Sequence, residues 1–343
     1  MRWIKWIKNR FIPSKPESVV GLSWESADFG GAETGSKTVL EVEDLSVSFV
    51  QYEKGLQQKQ MKVISSLDIA INRGEILAVV GSSGSGKSLL AHAILGILPE
   101  NASVTGSIKY NGKELTLQRQ AMLRGNEIAL VPQSVNYLDP LMQVGAQVRT
   151  GIKNGDALAV QREVFDRYQL KPEVDRFYPF QLSGGMARRI LISTAIVSDA
   201  QLVIADEPTP GLDPEVVEET LGYFREMSAR GCAVMLITHD IETALKIADK
   251  VAVFYAGTTV EVAPIENFSG DGEALRHPYS KALWRALPQN GFMPIPGAQP
   301  MPNNLPEGCL FAPRCSMATS ECSIKQPKVR KLRDGMVRCG HAT

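Results

Sequence analysis

The stretch that decides the fold runs from Ile76 to Leu98: ILAVV (76–80), then Gly81-Ser82-Ser83-Gly84-Ser85-Gly86-Lys87-Ser88, then the continuation LLAHAILGIL. Five unbroken apolar residues fit a strand buried on both faces, and the continuation reads as a helix. The loop between them has the spacing G-x-x-x-x-G-K-[ST]. Its glycines let the backbone curl so that successive N–H groups face phosphate oxygens, and the start of the following helix adds positive potential. Lys87 is expected to reach the terminal phosphates and Ser88 to ligate magnesium, so Gly81 to Ser88 predict a site for ATP and Mg2+.

The same pattern, a buried strand ending on a polar residue, recurs at LVIADE (202–207) and AVMLITHD (233–240). The repetition predicts an α/β fold: a parallel sheet flanked by helices, with its chemistry at the carboxyl ends of the strands. An acidic residue at the end of the apolar run 202–205 is costly without a cationic partner. Asp206 is therefore expected to hold magnesium, and Glu207 to orient and polarise the water that attacks the terminal phosphate. Before the loop, Leu45-Val47-Phe49 and Leu67-Ile69-Ile71 alternate, which predicts half-buried antiparallel strands joined by a polar loop at 51–60. Phe49 is the candidate to stack on adenine, with Tyr52 and a plain core role as alternatives. From about Leu138 the sequence is helix-rich and interrupts the sheet pattern. The expected organisation is an ATPase domain over 38–270, with a helical subdomain at about 138–195, and a C-terminal extension over 271–343.

The 343 residues carry 37 basic and 37 acidic side chains, so net charge gives no drive towards nucleic acid. No window approaches the run of about 20 apolar residues that spans a bilayer, and no signal peptide is read, which places the chain in the cytosol. The opening MRWIKWIKNRFIPSK has five basic residues and no acidic one, with Trp3, Ile4, Ile7 and Phe11 at helical spacing. It fits either a helix lying on the membrane or a solvated tail whose aromatic residues dock on the body. Residues up to 37 read as a linker. Between Gly291 and Pro306 five prolines predict an extended connector.

Leu182-Ser183-Gly184-Gly185-Met186 precedes Asp206 and resembles the signature loop of ABC ATPases. The resemblance implies an ABC-type nucleotide-binding domain with an antiparallel β subdomain and a helical subdomain. In such proteins Ser183, Gly184 and Gly185 would contact the terminal phosphate of ATP held by a second ATPase subunit. Gln133 would then serve magnesium and the attacking water, His239 would hold the terminal phosphate, and Asp213, in Pro210-Gly211-Leu212-Asp213, would couple the two sites. Ala187 departs from the arginine common in relatives.

HPYSKALWRALP (277–288) and IPGAQPMPNNLPEGCLFAPRC (295–315) are similar to the C-terminal extension of ATPases from oligopeptide, dipeptide and nickel importers. That resemblance implies a heterodimeric ATPase partner, two membrane permeases and an external binding protein, at the cytoplasmic face of the membrane. Rival readings are a soluble ABC-type ATPase acting on nucleic acid or ribosomes, and a redox-sensing subunit. Cys309, Cys315, Cys322 and Cys339 are spaced C-x5-C-x6-C-x16-C, without the close pairs of most zinc ribbons. A [4Fe–4S] cluster fits that spacing, as some members of the family hold one; zinc and unligated thiols stay open. Cys232 reads as a core residue. Lys325, Lys328, Arg330, Lys331 and Arg333 read as a solvated face or a phospholipid contact.

Overall fold

The computed structural model describes residues 38–52 and 58–343; the basic opening segment lies outside them. In chain order the elements are β1 (Thr38–Tyr52), β2 (Gln58–Asn72), β3 (Ile76–Gly81), α1 (Lys87–Leu95), β4 (Ala102–Tyr110), β5 (Lys113–Glu114), α2 (Leu117–Leu123) and β6 (Ile128–Val131). There follow α3 (Val144–Arg149), α4 (Ala157–Arg167), α5 (Gly184–Ile196), β7 (Leu202–Asp206), α6 (Pro214–Ala229), β8 (Ala233–Thr238), α7 (Ile241–Ile247), β9 (Lys250–Tyr255) and β10 (Thr258–Pro264). The chain closes with α8 (Pro278–Arg285), α9 (Ser320–Ile324), β11 (Arg330–Leu332) and β12 (Gly335–Val337).

Two sheets result. One is antiparallel, in the order β2-β1-β4-β5, and the other has the order β11-β12-β10-β9-β3-β8-β7-β6. Strands β9, β3, β8, β7 and β6 are mutually parallel. Alternate residues of β3 feed opposite cores, which is why the run had to be apolar throughout. Ile76, Ala78 and Val80 face the layer holding α5 and α6. Leu77 and Val79 face the layer holding β1, β2 and α1.

The expected strands around Leu45 and Leu67 pair antiparallel, with Leu45 opposite Leu67. The loop expected at 51–60 is shorter than its composition implied, because Gln51 pairs with Lys59 and Tyr52 with Gln58. Backbone pairing carries the hairpin past the point where apolar alternation ends. At the β9–β10 turn, Ala256 (φ 47°) and Gly257 (φ 84°) take left-handed conformations suited to a tight hairpin. A Cβ on Gly257 would sit 2.1 Å from the Val63 carbonyl, so glycine is what lets this hairpin lie against β2.

The C-terminal segment does not hang free of the core. Its strand β12 pairs with β10, Glu261 opposite Val337, and extends the main sheet. Helix α8 starts where its backbone donors are met: Glu261 accepts from Arg276 N and His277 N, both at 2.9 Å, and His277 Nδ1 accepts from Tyr279 N. Pro278 occupies the first turn, where a missing N–H costs nothing. No strand or helix occupies the connector, 291–306, as its prolines predicted. Arg330 is exposed, as the solvated-face reading expected, and donates to the Cys339 carbonyl at 3.0 Å. Among the described residues no helix is long and apolar enough to cross a membrane.

Candidate functional site

The carboxyl ends of β3, β7 and β8 deliver the predicted chemistry to one place. Strand β3 ends in the loop 81–86, and Gly86, at φ 91°, turns it into α1. The Lys87 ammonium donates to the carbonyls of Gly81 at 2.8 Å and Ser82 at 3.2 Å. Burial pulls its pKa below the usual lysine range, while the carboxylates of Glu207 and Asp206 pull the other way. Two polar atoms here lack partners in the protein: Ser85 Oγ and Asp206 Oδ1, both buried. Burial raises the Asp206 carboxyl, opposed first by its hydrogen bond with Ser88. A buried carboxylate oxygen without a donor, beside a hydroxyl, is a donor set that suits a hard divalent cation such as Mg2+.

Glu207 follows β7 in a left-handed backbone, φ 48°, with its N–H bonded to the Ile237 carbonyl at 2.9 Å. Such strain in a non-glycine residue persists only where the surroundings impose it. Both carboxylate oxygens lie 2.9 Å from Nδ1 of His239, which follows β8. The glutamate side chain is 9% exposed and the histidine 65%, so the pair spans from core to surface.

Ser183, Gly184 and Gly185 form the start of α5. Ser183 caps α5, its hydroxyl accepting from Met186 N at 3.3 Å, and Ser183 and Gly184 are exposed. Asp213 precedes α6 and faces Arg189 of α5 at 3.6 Å, tying its loop to the signature helix. Gln133 is exposed after β6, and Phe49 is half-buried against the core of the antiparallel sheet. The side chain of its rival Tyr52 lies outside the described residues.

One residue near the site carried no signal in the sequence. Arg188, on α5, donates to the Pro132 carbonyl at 3.0 Å, one residue before Gln133, and its charge is felt by Glu207 and Asp206. It thereby links the signature helix, the glutamine loop and the acidic pair. Only the spacing from Ser183 could have hinted at it.

Cys309, Cys315, Cys322, Cys339 and His341 line one small cavity, with Cys322 Sγ 3.2 Å from His341 Nε2. Among the described residues, no three His, Cys, Asp or Glu side chains are close enough to hold a single metal ion. Cys232 is buried in the core as expected, its thiol pushed up to about 12 by burial.

A glycine-rich loop, a buried aspartate, a strained glutamate and a histidine stand together at the strand ends, in a fold of the P-loop ATPase class. Residues 64–210 match the family described as ABC transporter, and residues 260–322 match the one described as oligopeptide/dipeptide transporter, C-terminal region. The chain is 31% identical to the oligopeptide transport ATP-binding protein AppD of Bacillus subtilis, over 88% of this chain and 96% of that protein. It is 33% identical to the dipeptide transport ATP-binding protein DppD of Escherichia coli (87% and 94%) and 35% identical to the oligopeptide transport ATP-binding protein OppD of Haemophilus influenzae (80% and 90%). Among solved structures, the post-hydrolysis dimer of the ATP-binding cassette MJ0796 with ADP and phosphate superposes with TM-score 0.57 at 22% identity, over 66% of this chain and 98% of that one. CbiO1 of Clostridium perfringens gives 0.54 at 26% (68% and 90%). The chain belongs to the ABC transporter family, in its group of oligopeptide and dipeptide transport ATP-binding proteins.

Proposed function

We propose that this chain is the ATP-hydrolysing subunit of an importer that brings oligopeptides or dipeptides across the cytoplasmic membrane. The observation that carries the reading is the union, in one chain, of a phosphate-binding loop with its acidic pair and a C-terminal region of the peptide-transporter type. A nickel or metal-chelate cargo, a nucleic-acid or ribosome substrate and a redox-sensing role lack comparable support, since the relatives above are named for peptides.

In this reading the loop from Gly81 to Lys87 cradles the phosphates, with Ser82, Ser83, Gly84, Ser85 and Gly86 presenting backbone donors. Ser88 and Asp206 hold Mg2+, with Gln133 as a further contact; the ion neutralises charge developing on the transferred phosphoryl group. Glu207 takes the proton of the attacking water, and His239 orients Glu207 and touches the terminal phosphate. Phe49 offers its free face to adenine. Ser183, Gly184 and Gly185 serve the nucleotide of a second, related ATPase subunit, and Asp213 joins the two sites. Two permeases and an external binding protein complete the assembly, to which this chain attaches peripherally.

The four cysteines are assigned to a [4Fe–4S] cluster. What supports the assignment is that all four thiols line one small cavity and that four thiolates satisfy a [4Fe–4S] centre. When bound, such a cluster would join the loop holding Cys309 and Cys315 to α9, which holds Cys322, and to the segment after β12, which holds Cys339. Complex purified without air should hold about four irons and four acid-labile sulfides per chain. One zinc and no sulfide would refute the assignment.

The transport reading is tested in cells. Lys87→Ala in an otherwise intact importer should abolish uptake of a labelled dipeptide or tripeptide while leaving the assembled complex in the membrane. Unchanged peptide uptake with lost nickel uptake would overturn the peptide reading.

A further inference from the structure

Ser82 is gripped from outside the nucleotide core. Its hydroxyl donates to Oε1 of Gln299 at 2.5 Å. Burial raises the pKa of the Tyr279 hydroxyl, and hydrogen bonding with the same serine opposes that rise. Gln299 belongs to the proline-rich connector and Tyr279 to α8, so both partners come from the C-terminal segment. Ser82 is also one of the two residues whose carbonyls hold Lys87. A shift of Ser82 therefore moves the lysine that must meet the phosphates.

Both partners are in turn placed by one short loop. Arg314 donates through Nε to the Pro296 carbonyl at 2.7 Å, through Nη2 to the Ile295 carbonyl at 3.1 Å and through Nη1 to the Tyr255 hydroxyl at 3.2 Å. One planar guanidinium thus fixes the connector just before Gln299. Phe311 packs against Tyr279 with ring centroids 5.4 Å apart, and Tyr255 sits 4.5 Å from Tyr279 and 5.3 Å from Phe311. These ring contacts hold the Tyr279 ring in place beside the phosphate-binding loop. Phe311 and Arg314 both lie between Cys309 and Cys315. At the far end of the segment, Arg338, which precedes Cys339, pairs with Asp68 and the Ser66 carbonyl of β2. The segment is therefore pinned to the ATPase core at both ends.

We propose that the loop between Cys309 and Cys315 is a strap that positions the phosphate-binding loop of its own subunit, acting through Gln299 and Tyr279 on Ser82. The inference rests on Gly81 to Ser88 being the ATP site. Gln299 and Tyr279 are positioning residues; their work is to keep the loop, and with it Lys87, aimed at the nucleotide before it arrives. Loss of one exposed hydrogen bond of this kind costs a few-fold in affinity.

The test uses the assembled membrane complex. Gln299→Ala and Tyr279→Phe should each raise KM for ATP by about three- to ten-fold, with kcat within two-fold and the unfolding temperature unchanged. Because the Gln299 bond ends on the Ser82 hydroxyl, adding Gln299→Ala to Ser82→Ala should raise KM no further than Ser82→Ala alone. An unchanged KM in Gln299→Ala and Tyr279→Phe, or additive effects in the double variant, would overturn the strap. Failure of the wild-type complex to hydrolyse ATP would instead strike the ATPase reading itself.

Discussion

Glu207→Gln should leave ATP bound in the assembled complex and cut phosphate release by 10²-fold or more, the usual consequence of removing a positioned base. The substitution keeps side-chain size and the strained backbone, φ 48°, and leaves the N–H bond to Ile237 in place. What it removes is the charge, and with it the proton acceptor. Both carboxylate oxygens now stand 2.9 Å from His239 Nδ1, whereas a glutamine can present only one acceptor there. Asp206 and Lys87 are untouched, so binding of MgATP survives and the complex accumulates in its nucleotide-loaded state. Retained turnover, measured as phosphate release under saturating ATP, would remove Glu207 from the role of base. Loss of ATP binding would instead mean that its charge serves the nucleotide.

Much of this site was legible because its residues sit where the sequence changes character abruptly. Asp206 ends a strand whose every residue is buried, and a carboxylate in that position needs a cation whatever the rest of the fold does. The order of strand, glycine-rich loop and helix around Lys87 pointed to phosphate chemistry for the same reason, and the structure has that order. Legibility failed where function depends on contacts across long separations. Ser82 and Gln299 are 217 positions apart, and no local pattern marks either as the other's partner. Arg188 sits in a helix next to Ala187, where the sequence drew attention to the missing arginine instead of the one that follows. Strands β11 and β12 are three residues each, too short for alternation to reveal, and are set by pairing with the edge that β10 offers. The pairing of 51–52 with 58–59 went unread, although the two strands and their joining loop were expected, because it is made by backbone groups, to which side-chain pattern is blind.

The second large effect separates stability from activity at the signature. Neither Gly184 nor Gly185 has a positive φ, and a Cβ on Gly184 would meet nothing within 4 Å, so this chain does not need glycine there for its own fold. Gly184 is the first residue of α5, a 13-residue helix whose start carries positive potential. Gly184→Asp therefore adds a carboxylate where the helix dipole favours one, and the unfolding temperature of the isolated chain should hold or rise. If the turn closes over a neighbour's nucleotide, the same charge meets the terminal phosphate and repels it. Turnover of the assembled complex should fall at least ten-fold, while the isolated chain still binds a fluorescent ATP analogue through Lys87 with unchanged affinity. A loss of about 1.4 kcal/mol suffices for the ten-fold fall, and two like charges a few ångströms apart in a closed interface exceed that easily. Full activity in the variant would show that nothing anionic approaches the exposed end of α5. A fall in activity accompanied by an equal fall in thermal stability would show that the glycine serves the fold of its own chain and not the site of its neighbour.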